Sequence, residues 1–170
     1  MKHNNRYIQS LMMITKMLDN LINIIEKSEN YLNKRKIDTN LVVNSRLIID
    51  MYPFSSQIQI ATDMTRKGFA RLAQIKSPSY KDNEKTLAQL KSRIIKTKNF
   101  LNKIDKNKFN DAENRSIEFI IRNKEFKFNN GDDYLNQWIL PHFFFHVTTA
   151  YNILRMNGVN IGKNDYIGKY

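Results

Sequence analysis

Apolar side chains recur at alternating intervals of four and three residues along the first part of the chain. The series consists of Tyr7, Leu11, Ile14, Leu18, Leu21 and Ile25. Lysine, asparagine and glutamate residues lie between its members. This spacing places the apolar side chains on one face of an α-helix. The pattern predicts a first helix from Asn4 to Lys34, with the apolar face as the seam of a helix bundle.

A second helical region is predicted from Leu41 to Ile75, broken or bent at Pro53. Beyond the proline, one face carries Phe54, Ile58, Ala61, Met64, Gly68, Leu72 and Ile75. Gln57 falls on this apolar arc, and so does Asp50 if the helix is continuous through the bend. Buried polar groups need partners. Each of these two residues is therefore expected to bond the bent backbone near Pro53 or to belong to a site.

The third helix is predicted to follow the turn at Ser77-Pro78-Ser79, with Asp82 as its N-cap and its end near Asp105. Its seam consists of Leu87, Leu90, Ile94, Leu101 and Ile104. Lysine and arginine occupy most of the other positions. We expect them to form a solvated face.

From Ser116 onward, the spacing of apolar residues changes from that of a helix to every second residue. Apolar and polar residues then alternate up to Phe128, and Arg122-Asn123-Lys124 interrupts the alternation. This arrangement predicts a short β-hairpin, which must pack on the helices because a lone hairpin is marginal in water. We therefore expect an all-α bundle with one small hairpin before the last helix, forming a single domain over residues 1–170.

The last helix is predicted from Asp132 to Gly158, with Asp132 or Asp133 as its cap and Gly158 as the left-handed residue past its end. Its apolar face carries Leu135, Ile139, Phe143, His146, Val147, Ala150, Ile153 and Leu154. His142 lies at the edge of this face, four residues before His146. Pro141 removes one helical hydrogen bond beside the pair and should kink the axis. The tail after Gly158 is expected to lie along the surface.

The amino-acid composition of the chain excludes some kinds of functional site and makes others less favoured. The chain has no cysteine, which excludes thiolate metal sites and a cysteine nucleophile. Without a targeting segment or a long apolar run, we expect a soluble, cytoplasmic protein that does not bind membranes. The net charge of +12 makes binding of nucleic acid one function to consider. Because the basic residues are dispersed and no reader motif accompanies them, nucleic-acid binding is not the favoured interpretation.

Two stretches resemble the DinB/YfiT-like superfamily, in a branch known only as a domain of unknown function. These are DMYPFSSQIQIATD, residues 50–63, and LPHFFFHVTTAYNILRMNGVNIGKNDYIG, residues 140–168. RLAQIKSPSY, residues 71–80, is similar as well. The resemblance implies a four-helix bundle with a non-sequential helix order.

The resemblance also implies a divalent metal bound by three histidines, one on the second helix and an HxxxH pair on the last. His142 and His146 match the pair. Met64 stands where a second-helix histidine would be expected, and only Asp50 or Gln57 could substitute. Two imidazoles bind zinc or nickel too weakly for a durable site. We therefore expect zinc or nickel to be bound at low occupancy. The pocket would be formed by Asp50, Gln57, Met64, His142 and His146.

Three functional interpretations follow from the sequence. The first is a small-molecule-binding protein, or an enzyme with no identified catalytic residue. For an enzyme, the resemblance implies metal-dependent hydrolysis or transfer to a low-molecular-weight thiol. The second is a non-enzymatic homodimer in stress response or regulation. The third is weak nucleic-acid binding through the basic third helix.

Overall fold

The computed structural model describes residues 6–169, and four long helical elements dominate this part of the chain. They are α1 (Arg6–Lys34), α3 (Phe54–Leu72), α4 (Leu87–Asn102) and a composite last element made of α5 (Gly131–Tyr134), a π-helical turn (Leu135–Ile139) and α6 (Leu140–Met156). Two short helices, α2 (Thr39–Val43) and α7 (Lys163–Ile167), accompany them. The predicted start of the first helix at Asn4 lies outside the described residues.

The long helices are arranged in a non-sequential order. α1 packs mainly against α4, α4 packs against α3, and α3 packs against α6. The second and last long elements are therefore direct neighbours, although the third lies between them in sequence. The all-α bundle and its non-sequential helix order are confirmed.

The apolar seams of the four long elements form one core. Every member of the predicted seams of the first, third and last helices is buried. Gly68 marks the closest approach of α3 to the last element, because a Cβ atom there would lie 2.7 Å from Cδ1 of Ile139. Glycine thus permits a helix contact that alanine would prevent without a shift of Ile139.

The second helical region is interrupted for longer than predicted. α2 ends at Val43 and α3 begins at Phe54, so residues 44–53 form a connection rather than a bent helix. Pro53 is the residue that precedes α3, with extended backbone. Asp50 lies in this connection and is exposed. Its predicted place on the inward arc required a continuous helix and is wrong.

The third long helix starts later than predicted. Thr86 is its N-cap, and it forms a capping box with Gln89. Asp82 instead lies before the helix, with its carboxylate 2.9 Å from the guanidinium of Arg93. The predicted cap at Asp82 is therefore wrong, and the segment between Ser77 and Thr86 is a connection held by side chains.

The predicted hairpin is confirmed. β1 (Ile117–Ile121) pairs antiparallel with β2 (Lys124–Phe128), and Ile117 lies opposite Phe128. The turn consists of Arg122 and Asn123, both with positive φ, as two-residue hairpin turns require. One face of the hairpin packs against the last helical element through Phe119, Phe126, Phe128, Tyr134 and Trp138.

Asn130, rather than Asp132 or Asp133, caps the last helical element: its side chain accepts a hydrogen bond from the Asp133 N–H. Asp132 is instead bound by the first helix, since the Tyr7 hydroxyl donates to it at 2.6 Å. At the other end, Gly158 has φ of 81°, which confirms its role in closing the helix.

The segment after Gly158 is more buried than predicted. Val159 and Ile161 belong to the core. α7 then packs on α1, where the buried Asn20 amide donates to the backbone carbonyls of Tyr166 and Ile167. The prediction of a surface tail is wrong, because two apolar residues among the glycines were enough to bury its first part.

Candidate functional site

Pro141 and the π-helical turn before it place the two histidines of the last element. Pro141 has no N–H, so an ordinary helix would leave one carbonyl without its donor here. The preceding turn is widened: the Leu140 N–H donates to the carbonyl of Leu135, five residues earlier. A π-helical turn thus lies where the kink was predicted, and His142 contacts the carbonyl of Trp138 within this turn.

His146 is buried and is held by α3. Its Nδ1 lies 2.6 Å from Oε1 of Gln57. The Gln57 amide nitrogen donates to the carbonyl of Tyr52 at 2.9 Å, which fixes its oxygen toward the histidine. Nδ1 of His146 must therefore carry the hydrogen and donate it. In the neutral ring the lone pair is then on Nε2.

His142 is half-buried, and the hydrogen of its neutral ring is on the same nitrogen as in His146. Its Nδ1 lies 2.7 Å from the carbonyl oxygen of Trp138. A carbonyl only accepts, so this nitrogen also carries the hydrogen. The ring packs on the Trp138 indole, with the ring centroids 4.2 Å apart. The neutral form again has its lone pair on Nε2.

The environment keeps His146 neutral. Burial, together with the neighbouring charge of His142, lowers the pKa of His146 from 6.5 to about 4. A neutral imidazole is the form that accepts a hydrogen bond or binds a metal. A base with this pKa is poorly matched to proton abstraction near neutral pH. His146 is therefore a neutral ring in the folded protein over the range in which an exposed imidazole titrates.

The other predicted pocket residues lie elsewhere. Asp50 is exposed in the connection before α3, and Met64 is half-buried at a cleft between α3 and the hairpin. Within residues 6–169, no three histidine, cysteine, aspartate or glutamate side chains are grouped so that they could hold a metal ion. Gln57, His142 and His146 thus remain, and they make an incomplete ligand set for a resident zinc or nickel ion.

A second polar cluster, which the sequence pattern did not predict, ties α3 to α4. Asp63 accepts hydrogen bonds through one oxygen from Arg66 at 2.6 Å and from Arg93 at 2.7 Å. Its other oxygen contacts Lys67 at 2.6 Å. Both arginines are buried. The expectation that the basic residues of the third long helix all form a solvated face is therefore wrong at Arg93.

Tyr80 and Glu84 complete this cluster. The Tyr80 ring covers the guanidinium of Arg66 at 4.2 Å and that of Arg93 at 5.3 Å. Glu84 accepts from Arg93 at 2.9 Å. Burial alone would raise the pKa of Asp63, but the hydrogen bonds from Lys67 and Arg66 outweigh it and lower that pKa. Asp63 and Glu84 are both paired with cations of the cluster, and this dense ion pairing indicates a structural role. Among the described residues, the buried Nε of Arg66 is left without a hydrogen-bond partner.

Comparison with solved structures places this fold among DinB-like proteins. The chain is similar to the crystal structure of a DinB family member protein from Shewanella denitrificans, with 34% sequence identity and a TM-score of 0.84. The match covers 94% of this chain and 90% of that one. The chain itself belongs to the family described as a domain of unknown function, DUF1993, which it matches over residues 7–167. Comparison with curated proteins gives no match.

No described helix is both long and apolar enough to cross a membrane.

Proposed function

We propose that His142 and His146, together with Gln57, form a small-molecule site that is an altered version of the three-histidine metal site of DinB-like proteins. The observation that carries this proposal is the hydrogen-bonding pattern that the two rings share. Each Nδ1–H is held by an oxygen acceptor, so each Nε2 lone pair is available to a ligand. Partners of this kind are the ones that orient metal-binding histidines in other proteins.

The chemistry of the pair indicates what it would bind. Two neutral Nε2 atoms accept hydrogen bonds, so they suit a ligand that carries donors. A low-molecular-weight thiol is one candidate, because the family resemblance implies it. The same two atoms would hold zinc or nickel, but only weakly, since a third protein ligand is missing. A bound metal would supply Lewis acidity for activating water or a thiol. The proposed function is thus binding of a small molecule, with the metal at low occupancy.

Nitrogen-15 NMR of the histidine rings tests the proposal. The chain has three histidines, so a His3→Ala background leaves only the signals of the pair. We expect both rings to be protonated at Nδ1, and addition of zinc chloride to shift the Nε2 resonances in fast exchange. A second titration uses 2-mercaptoethanol alone, which should shift Nε2 of the pair if a thiol is accepted.

The control for this experiment is His146→Gln in the same background. It should abolish the zinc-dependent shift at His142, because one imidazole alone is a poor ligand. Protonation of either ring at Nε2 instead of Nδ1 would contradict the proposal. So would Nε2 resonances that move with neither probe.

A homodimer is a second candidate, and exposed apolar residues in α2 and in the connection from α2 to α3 favour it. Leu41, Ile48 and Ile49 are 64%, 58% and 91% exposed, and Tyr52 is 46% exposed. Four large apolar side chains exposed within twelve residues exceed the scattered single residues that a surface normally carries. The area they offer supports self-association through this segment.

The contacts of α4 support the view that this helix is not a surface for nucleic acid. Lys91 and Lys98 lie 3.4 and 2.5 Å from carboxylates of α1, Glu26 and Asp19 respectively. Arg93 is buried in its own ion pairs. Lysines that already have carboxylate partners, and an arginine that is buried, contribute little to a phosphate-binding face.

A further inference from the structure

A cleft of about 580 Å³ opens between α3 and the hairpin. α3 contributes Ser56, Gln59, Ile60, Asp63, Met64, Lys67 and Arg71, and the hairpin contributes Ile120, Ile121 and Arg122. Tyr52 and Asp82 complete the lining. Neither His142 nor His146 lines it, so this cleft is distinct from the histidine pair. Its volume lies in the range of small-molecule sites.

Most of the charged groups in the cleft already have partners of opposite charge. Lys67 and Asp63 are paired with each other, and Asp63 also holds the two buried arginines of the cluster beneath it. Asp82 is paired with Arg93. Two cations remain. Within residues 6–169, neither Arg71 nor Arg122 forms an ion pair with a carboxylate.

Neutral groups orient both of these arginines. One nitrogen of Arg71 donates to the Tyr134 hydroxyl at 2.9 Å, and its guanidinium lies 4.0 Å from the centre of the Phe119 ring. One nitrogen of Arg122 lies 3.3 Å from the Tyr52 hydroxyl. A guanidinium has five N–H donors, so each arginine keeps donors for a further acceptor. The cleft therefore holds two oriented guanidinium groups that have no carboxylate partner within residues 6–169.

Four of the other lining residues are apolar and lie beside the neutral polar side chains of Ser56 and Gln59. Ile60 and Met64 are half-buried on α3, and Ile121 is half-buried on the hairpin. Ile120 is 71% exposed, although it lies in a strand. An apolar group placed in the cleft would cover these side chains and remove their surface from water.

We propose that this cleft binds a small amphipathic oxyanion. A carboxylate or phosphate group would bind Arg71 and Arg122, whose planar guanidinium groups match its geometry. A short apolar chain attached to it would lie on the isoleucine and methionine surface. This inference is independent of the proposed function of the histidine pair, because the two sites share no histidine and require different ligands.

Isothermal titration calorimetry with octanoate and with octyl phosphate, each below its micelle concentration, tests the proposal. Octanol lacks the anionic group, and acetate lacks the chain, so both should bind much more weakly. Arg122→Gln removes one guanidinium from an exposed turn and should weaken octanoate binding by about tenfold or more, the value of a lost charge-assisted hydrogen bond. Arg71→Gln should have a similar effect.

Lys124→Gln is the matched control, since Lys124 is an exposed cation of the same hairpin that does not line the cleft. It should bind octanoate like the unmodified protein. If Arg71→Gln fails to fold, as judged by its melting transition, Arg122→Gln decides the result. Equal binding of octanol and octanoate, equal losses in Arg122→Gln and Lys124→Gln, or no binding of either anion would overturn the proposal. Binding only to phosphatidylglycerol vesicles would also overturn it, in favour of a membrane-surface contact.

Discussion

At the scale of single residues, Gln57 links the backbone before α3 to the last helix. Its amide nitrogen donates to the Tyr52 carbonyl, and its oxygen accepts from His146. The sequence predicted this contact between Gln57 and His146, since each lies on the apolar arc of its helix. A buried polar residue on such an arc has few places to find a partner, which is why the pattern was informative here.

Gln57→Met keeps the length of the side chain and removes both hydrogen bonds. The Tyr52 carbonyl and the Nδ1–H of His146 would each lose a partner, so we expect the free energy of unfolding to fall by about 1–3 kcal/mol. Urea denaturation measures this. Gln9→Met, at an exposed position of α1, is the control and should change stability by less than about 0.5 kcal/mol. A Gln57→Met protein as stable as this control would contradict the assigned hydrogen bonds.

His146 should make stability depend on pH in a defined window. Its pKa is about 4 in the folded protein and near 6.5 when exposed, so the unfolded chain binds more protons between these values. Stability is therefore fully present above pH 6.5 and falls as the pH decreases toward 4. His146→Gln should remove this part of the pH dependence. Parallel stability curves for the two proteins from pH 7 to pH 4 would show that His146 is not buried as a neutral ring.

The buried arginines of α3 and α4 show where residue-level prediction failed. Charged residues on a helix usually face water, so Arg93 was expected on the solvated face of its helix, and the burial of Arg66 was not foreseen either. Their burial depends on groups from the connection between the helices. Arg66 donates to Ser77 at 2.6 Å, and the Tyr80 ring covers both arginines. Helical periodicity carries no information about how such a connection folds back over a helix.

At the scale of helices, burial of the apolar seam residues stabilises the bundle. Leu18 of α1 and Leu90 of α4 are fully buried. Truncation of either side chain to alanine should lower the free energy of unfolding by about 2–5 kcal/mol, because it removes apolar contacts and leaves a cavity. Met12→Ala is the control on α1, where the methionine is 63% exposed. Melting of Leu18→Ala at the temperature of Met12→Ala would mean that α1 is rotated differently.

Helix lengths were predicted well where a seam was long and poorly where a connection was apolar. Leu47, Ile48 and Ile49 continued an apparent helical pattern, yet the chain is not helical there. Pro53 explains much of this, since a proline disfavours helical backbone at the residue before it. The Phe54 N–H donates to the Ser45 carbonyl at 2.9 Å, which closes the connection into a loop. Only contacts made in the folded chain define that loop.

At the scale of the whole molecule, the exposed segment between α2 and α3 predicts self-association. Ile49 is its most exposed apolar side chain. We expect sedimentation equilibrium to show a dimer that dissociates on dilution, and Ile49→Asp to remain monomeric because a carboxylate would be desolvated in the interface. Ile95→Asp is the control on α4, where an isoleucine is exposed outside this segment. A monomer at every concentration, or equal effects of both substitutions, would contradict the proposed interface.

We propose that the histidine pair is oriented for binding but lacks the ligands of a durable metal site. The metal content of protein purified without a histidine tag, in the His3→Ala background, tests it most directly. We predict well below one zinc or nickel ion per chain, since the Gln57 oxygen is occupied by His146 and Asp50 is exposed in the connection before α3. One ion per chain that disappears in His146→Ala would contradict the account, because it would require a third ligand at this site.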